Sequence, residues 1–471
     1  MYQRSFLLIL FVAFLPGCTD FHTPLTEPAA HLVPPTYRFY TEKQDHLVPW
    51  WTQFDNKELD ELIEEGLQHN FSLQQTWARL AQARAVARKA GADSFPHLNA
   101  LAGGAHNRTG QEDGTETNTD DFSLGLSVGY EVDLWGRVKS AKNQAQLDAQ
   151  AKNEDVYAAA MSLSAEIAIA WLDLISARQQ GAQLHKQLNL NKRLLELIEL
   201  RFATSKASAL DVYQQNQTIT GIEGALITIE RTKQTALHRL AILIGRPPTA
   251  PLNTAQQLFP SIPAIPPGGL PADLLAQRPD IRSKGLQLQG ATWAIAAAKA
   301  DRLPQLSLTG ALTYNSSIIE SLLDAWLFRL AASFATPLVD GGARSAEVQR
   351  TLAVAEERLA AYRESVVLAL KEVEDALVFE QQYRKSIANI DQQIELAQMA
   401  YREATWRYLN GLSDYLPVIR EQINLITAEQ DRITTERDLV QTRVTLHKAL
   451  GGTWTDQLVP NETMPLSTAQ Q

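Results

Sequence analysis

The chain has 471 residues, of which 45% are hydrophobic, and a formal net charge of −10. These values fit a folded protein of two or three domains, and the acidic balance argues against nucleic acid as a partner. A single cysteine excludes an internal disulfide and a cysteine-based metal cluster.

Arg4 precedes the apolar run Phe6 to Phe14, which is too short to span a bilayer, so residues 1–17 are expected to be a secretory signal. Leu15-Pro16-Gly17-Cys18 closes it and resembles a lipoprotein box, although Pro16 stands where Ala or Ser is usual; the alternative is a chance cysteine in an ordinary signal. With Thr19 next to Cys18, the lipoprotein pattern favours the outer membrane, and acyl chains such as palmitate on Cys18 would anchor this end without a spanning helix. Residues 18–50 carry Pro24, Pro28, Pro34, Pro35 and Pro49 with no sustained period, which predicts an extended arm over the surface. Leu59, Leu62, Ile63, Leu67 and Leu73 recur at helical spacing and predict one helical run to about Ala90.

Strand signals follow. Phe122, Leu124, Leu126, Val128, Tyr130 and Val132 alternate with small or polar residues, the two-residue period of a sheet with one apolar face. Leu306 to Tyr314 and Trp326 to Phe334 repeat the pattern, and segment 97–107 shows it weakly. Strands are expected at about 96–107, 121–133, 303–315 and 325–336, and their length suits a membrane barrel, although a soluble sandwich strand alternates in the same way. Between the first two, Glu112, Asp113, Glu116, Asp120 and Asp121 predict a solvated loop, with divalent-cation binding as the alternative.

Ala343 to Asn410 contains no Gly or Pro, and Val138 to Leu200 contains only Gly181. Each predicts a helix on the order of 100 Å, which suits a periplasm-spanning element. Val348, Leu352, Ala355, Leu359, Tyr362, Val366, Ala369 and Val373 form a coiled-coil seam, as do Ile419, Ile423, Ile426, Ile433, Val440 and Val444, with Gln430 and Arg437 interrupting. Short breaks after each long helix predict antiparallel hairpins with tips at about 204–211 and 411–416, the first opened by a Ser208/Asp211 capping box. The stretch 246–272 holds eight of the 21 prolines and reads as a linker. It separates two repeats, 51–245 and 273–452, at an offset of about 206 residues: Phe95-Pro96-His97-Leu98 recurs as Leu303-Pro304-Gln305-Leu306, Arg201-Phe202 as Arg407-Tyr408, and Gly245 as Gly451. Residues 453–471 are left as a tail.

No catalytic constellation emerges. Gly125-Leu126-Ser127-Val128-Gly129 matches a nucleophile-elbow pattern but lies within an alternating strand rather than at a strand-to-helix turn. The nine histidines are scattered without metal-ligand spacing, so no metal, cofactor or enzymatic activity is expected.

Trp51, Phe54, Asp55, Leu59, Leu62, Ile63, Leu67 and Asn70, the block Glu131 to Arg137, Arg278-Pro279-Asp280-Ile281-Arg282, Pro337-Leu338 with Asp340-Gly341-Gly342, and Arg407-Tyr408 with Gly411 and Ser413 to Leu416 together resemble the TolC-like outer-membrane factors, lipoprotein branch. The resemblance implies an α+β membrane protein in which four transmembrane strands per protomer join those of two other copies into a twelve-stranded barrel on an α-helical periplasmic tunnel. It further implies a homotrimer that works with a periplasmic adaptor and an inner-membrane pump as an exit duct for drugs or other small toxic compounds. A duct for type I protein secretion and a non-conducting coiled-coil spacer are the alternatives. By the same resemblance, Ser205, Ser208, Leu210, Gly411, Ser413 and Tyr415 would face the adaptor, and Leu416 would form a leucine ring at the gate. The family's acidic ring falls here on Arg420, which is then either a surface charge or a gate residue paired with Asp414, Glu421 or Asp211.

Overall fold

The computed structural model describes residues 21–23, 29, 32–37, 49–110, 116–262, 265, 271–452 and 454–459. The expected signal, Cys18, Glu112 and Asp113 lie outside them. A short 3-10 turn, Trp50–Phe54, leads into α1 (Lys57–His69) and α2 (Phe71–Ala92), then β1 (His97–Gly110), β2 (Glu116–Val132), α3 (Arg137–Ala203) and α4 (Ala209–Leu243). The order then repeats with a short α5 (Leu274–Gln277), α6 (Pro279–Ala300), β3 (Gln305–Ser316), β4 (Trp326–Ala335), α7 (Ala343–Leu409) and α8 (Leu416–Leu450). Element lengths carry the duplication: α2 and α6 have 22 residues each, α3 and α7 have 67, and α4 and α8 have 35.

The chain divides into two compact units, each drawing on both repeats. The first comprises the described residues of Met1–Ala29, Ala78–Glu154 and Arg282–Glu364. It holds one antiparallel sheet in the order β1-β2-β3-β4. Charged corners fix the passage from strand to long helix. Asp133 accepts the Val138 and Lys139 amides at 3.1 and 2.7 Å, which caps α3, and Glu131 pairs with Arg137 at 2.6 Å. In the second repeat Asp340 accepts the Gly342 and Arg344 amides at 2.9 and 3.2 Å. The arginine of the Glu131 to Arg137 block and its counterpart Arg344 are thus structural.

The second unit comprises the described residues of Ala30–Trp77, Asp155–Ile281 and Ser365–Gln471. Its core holds Trp171, Ile167 and Leu174, all buried. One window of α3 is apolar enough to pass as a membrane span, but 67% of it is buried within the protein, as in a core helix. Both return helices end on a left-handed glycine packed against backbone. A Cβ on Gly245 (φ +80°) would lie 2.3 Å from the His69 carbonyl oxygen, and one on Gly451 (φ +78°) would lie 2.7 Å from that of Gln277. Arg278 closes the second of these joints, reaching Glu372 at 2.6 Å, Asp280 at 2.7 Å and the Ala449 carbonyl at 3.1 Å. Burial opposes ionisation of Asp280, but the Arg278 guanidinium outweighs it and holds the carboxyl below the usual range. Arg443 is fully buried against Glu380 at 2.5 Å.

Several expectations need correction. The single helical run from Leu59 is two helices, because Asn70 turns the chain: its side chain accepts the Leu73 amide at 2.9 Å and donates to the Leu243 carbonyl at 2.9 Å. Glu116, Asp120 and Asp121 belong to β2 rather than to a loop, held by cross-strand partners Arg108, His106 and Asn107. Ala29 and Tyr37 of the expected surface arm are buried, and so is Trp454 at the start of the expected tail. In the α7 seam Leu352 is exposed and Thr351 takes the buried position. From its cap Tyr415 into α8 the buried line runs through Val418, Gln422, Leu425 and Ala428, one place over from the expected isoleucines, and Ile423 is exposed.

Candidate functional site

The sheet presents a continuous apolar face. Register places Leu98 opposite Val128, Leu126 opposite Leu312, Tyr130 opposite Leu308, Leu312 opposite Phe328, and Tyr314 opposite Trp326. Because side chains alternate across a strand, these residues share one side. They stay exposed to an extent unusual for apolar groups: Leu126 is 47%, Phe328 60% and Leu330 74% accessible. The other side carries Asn99, Ser123, Ser127, Thr309, Thr313, Arg329 and Ser333, with Leu101 and Leu327 as apolar exceptions. On β2 the apolar band from Phe122 to Val132 covers eleven positions, the reach of a tilted strand across a hydrocarbon core, and beyond it both faces turn polar. Among the described residues β1 pairs only with β2 and β4 only with β3, which leaves two bare edges.

Ser127 pairs in register with Asn99 and Ala311 inside this sheet, so the nucleophile-elbow geometry is not formed. Among the described residues no group of three or more His, Cys, Asp or Glu side chains could hold a metal ion.

The second constellation lies where the two hairpins turn, within the second unit. Ser208 and Asp211 form the expected capping box: the Asp211 amide donates to the Ser208 hydroxyl at 3.2 Å and the Ser208 amide to the Asp211 carboxylate at 3.2 Å. In the other hairpin Gly411 (φ +72°) ends α7 in the left-handed conformation, with the Leu412 amide donating to the Arg407 carbonyl at 2.8 Å. The hairpins are bonded to each other. The Tyr408 hydroxyl donates to Asp211 at 3.1 Å, Arg201 donates to the Leu409 carbonyl at 2.7 Å, and its guanidinium lies 5.0 Å from the centre of the Tyr408 ring. Burial, reinforced by the negative charge of Asp211 and the bond to it, pushes the Tyr408 phenol up to about 12.

Ser205, Ser208, Leu210, Gly411 and Leu416 are exposed, Leu416 at 62%. Asp414 and Arg420 are exposed as well, and Ser413 is half-buried with its hydroxyl unpartnered among the described residues. Tyr415, expected to face an adaptor, is instead 1% accessible and packs with Ile198, Ala404, Tyr408 and Val418. Burial raises its phenol well above the ordinary range. Of the three acidic partners weighed for Arg420, Asp211 is bonded to Tyr408 and Ser208, Glu421 accepts from Asn424 at 3.2 Å, and Asp414 is the remaining one. The inter-hairpin contacts of Arg201 and the buried amides Asn191, Gln215 and Gln422 were not legible from helical spacing, because polar residues at these positions read as exposed face.

A family profile described as "Outer membrane efflux protein" matches residues 62–246 and 270–452. The pyoverdine export outer membrane protein OpmQ of Pseudomonas aeruginosa is 30% identical over 466 residues, covering 96% of this chain and 98% of the relative. The outer membrane protein OprJ of the same organism is 30% identical over 424 residues, 86% of each. Among solved structures the outer-membrane channel OprN superposes with a TM-score of 0.82 at 26% identity, covering 93% of this chain and 98% of that one. With both repeats matched and a relative aligned over almost the full length, the chain belongs to the outer membrane efflux protein family.

Proposed function

We propose that the protein is a passive outer-membrane exit duct built from three copies, which receives small toxic compounds from an inner-membrane pump and a periplasmic adaptor. The observation that carries this reading is the four-stranded sheet with an exposed apolar face and two bare edges. In hydrocarbon such edges leave backbone groups unsatisfied, so closure must come from other copies. With all neighbours antiparallel, β4 of one copy can pair with β1 of the next, and three copies of four strands give twelve, enough for an open lumen. A non-conducting spacer would have no need of such a face. Relatives named for pyoverdine export and toluene efflux support small-molecule cargo over the alternative of a secreted polypeptide.

The lipid anchor at Cys18 belongs to this reading, as does the assignment of the two hairpin turns to the adaptor-facing tip and gate. Leu416 would form the constriction, and Arg420 would meet Asp414 or an acidic group of a neighbouring copy. Cysteines at 204–211 and 411–416 should crosslink to the adaptor, and a deletion strain should become susceptible to several drug classes. Crosslinks from residues 112–121 instead would invert the topology.

A further inference from the structure

Asn191 on α3 is fully buried and lies at the centre of an amide cluster that reaches three helices. Gln215 of α4 donates to its backbone carbonyl at 2.8 Å and to its side-chain oxygen at 3.0 Å. Gln422 of α8 donates to that same oxygen at 2.8 Å, and Asn191 returns its own amide hydrogen to the Gln187 carbonyl at 2.8 Å. Gln215 in turn accepts the Tyr415 hydroxyl at 2.5 Å. Tyr415, which caps α8, and Gln422 on it are seven residues apart, two turns along one face, and both are buried against the first hairpin. The stretch between them carries Leu416 and Arg420, so both proposed gate residues sit on a segment pinned at one end by Gln215 and at the other by Asn191, two amides that are bonded to each other.

We propose that Asn191 is a positioning residue: through Gln215 and Gln422 it sets the axial register of the start of α8 against α3 and α4. Apolar seams tolerate sliding because one aliphatic layer resembles the next, whereas a buried amide accepts few alternatives. A slip of one turn would set Val418 or Ile419 against Asn191, and both bonds from this end of the hairpin, Gln422 to Asn191 and Tyr415 to Gln215, would be lost in a dry interior. A slip of a full heptad would bring Glu429 to the place of Gln422, a carboxylate with no hydrogen to give the Asn191 oxygen. The side-chain oxygen of Gln422 is itself buried without a partner, which leaves its NH2 as the whole of its hold on Asn191.

The inference relies on the gate reading only for its effect on conductance, and the test separates the two. In a full-length Cys18→Ser background, cysteines replace Ile198 and Val418, which lie in one buried cluster across α3 and α8. The disulfide yield with the amides intact is the reference. Asn191→Leu should lower it at least threefold while the heat-stable oligomer persists, and should turn single-level channel openings in planar bilayers into several levels. Should Asn191→Leu fail to assemble, Gln422→Leu removes one arm of the cluster and is expected to do the same. Ile198→Val, which trims apolar packing at the same layer without touching an amide, should leave conductance single-level. A disulfide yield undiminished by Asn191→Leu or Gln422→Leu overturns the proposal whatever the conductance does. A lowered yield with unchanged conductance upholds the register role and removes Leu416 from the gate.

Discussion

Tyr408, at the end of α7, donates its hydroxyl to Asp211 in the first turn of α4 at 3.1 Å, a bond between residues 197 apart in sequence that ties the two hairpin turns together. Asp211 also completes the capping box of α4, so one carboxylate serves both the local turn and the contact between hairpins.

The state of this bond should follow the phenol rather than physiological acidity. Burial and Asp211 raise the Tyr408 pKa from the ordinary 10.0 to about 12, so the protonated form is favoured in the fold. The stabilisation is then complete below pH 10 and is lost as pH rises through 12. Tyr408→Phe should remove part of the alkaline destabilisation between pH 10 and 12, measured by thermal melts at fixed pH, and Tyr408→Phe and Asp211→Asn should each raise bilayer conductance at neutral pH.

Leu416 is 62% accessible and directly follows a buried tyrosine, so its side chain leaves the core of its own protomer. Leu416→Ala should raise single-channel conductance, and Arg420→Ala should change its dependence on salt and pH. Traces indistinguishable from wild type in both variants would remove the gate from this turn.

On β2, Leu126 and Ser127 are adjacent and face opposite sides of the sheet. An arginine at Leu126 should cost roughly 2–4 kcal/mol if the residue sits near the bilayer midplane, measured by urea titration in lipid, and one at Ser127 should mainly alter ion selectivity. Equal tolerance at the two positions would mean that this sheet is not in a membrane.

Cys18→Ser should abolish incorporation of labelled palmitate while leaving some protein in the outer membrane through its barrel. Label retained by the variant would end the lipoprotein assignment.

The alternation of residues 122–132 in the sequence announced the sheet, because a strand with lipid on one side and water on the other must change polarity at every residue. Helix ends were legible where a glycine or a capping pair marks them, as at Gly411 and Ser208. Asn70 was legible as one of the residues that carry the resemblance but not as a helix break, because a helix interrupted by a single capping residue keeps its apolar spacing through the break. Near its turn the α8 seam was misplaced by one position for a different reason, while Val440 and Val444 further along are buried as expected. When a protomer keeps apolar residues on a face that its own chain does not cover, Ile419, Ile423 and Ile426 compete with the true core line, and Tyr415 and Gln422 look too polar to belong to it. The lesson for this fold is that buried amides, rather than the largest aliphatics, mark the seam near the turns.

Reconstitution of the purified full-length protein into planar bilayers tests the central claim most directly. The account predicts heat-modifiable oligomers that produce discrete single-channel steps, lost when Leu126→Arg prevents insertion. Extraction from the envelope without detergent, or a detergent-purified oligomer that never conducts even as the Leu416→Ala variant, would contradict it.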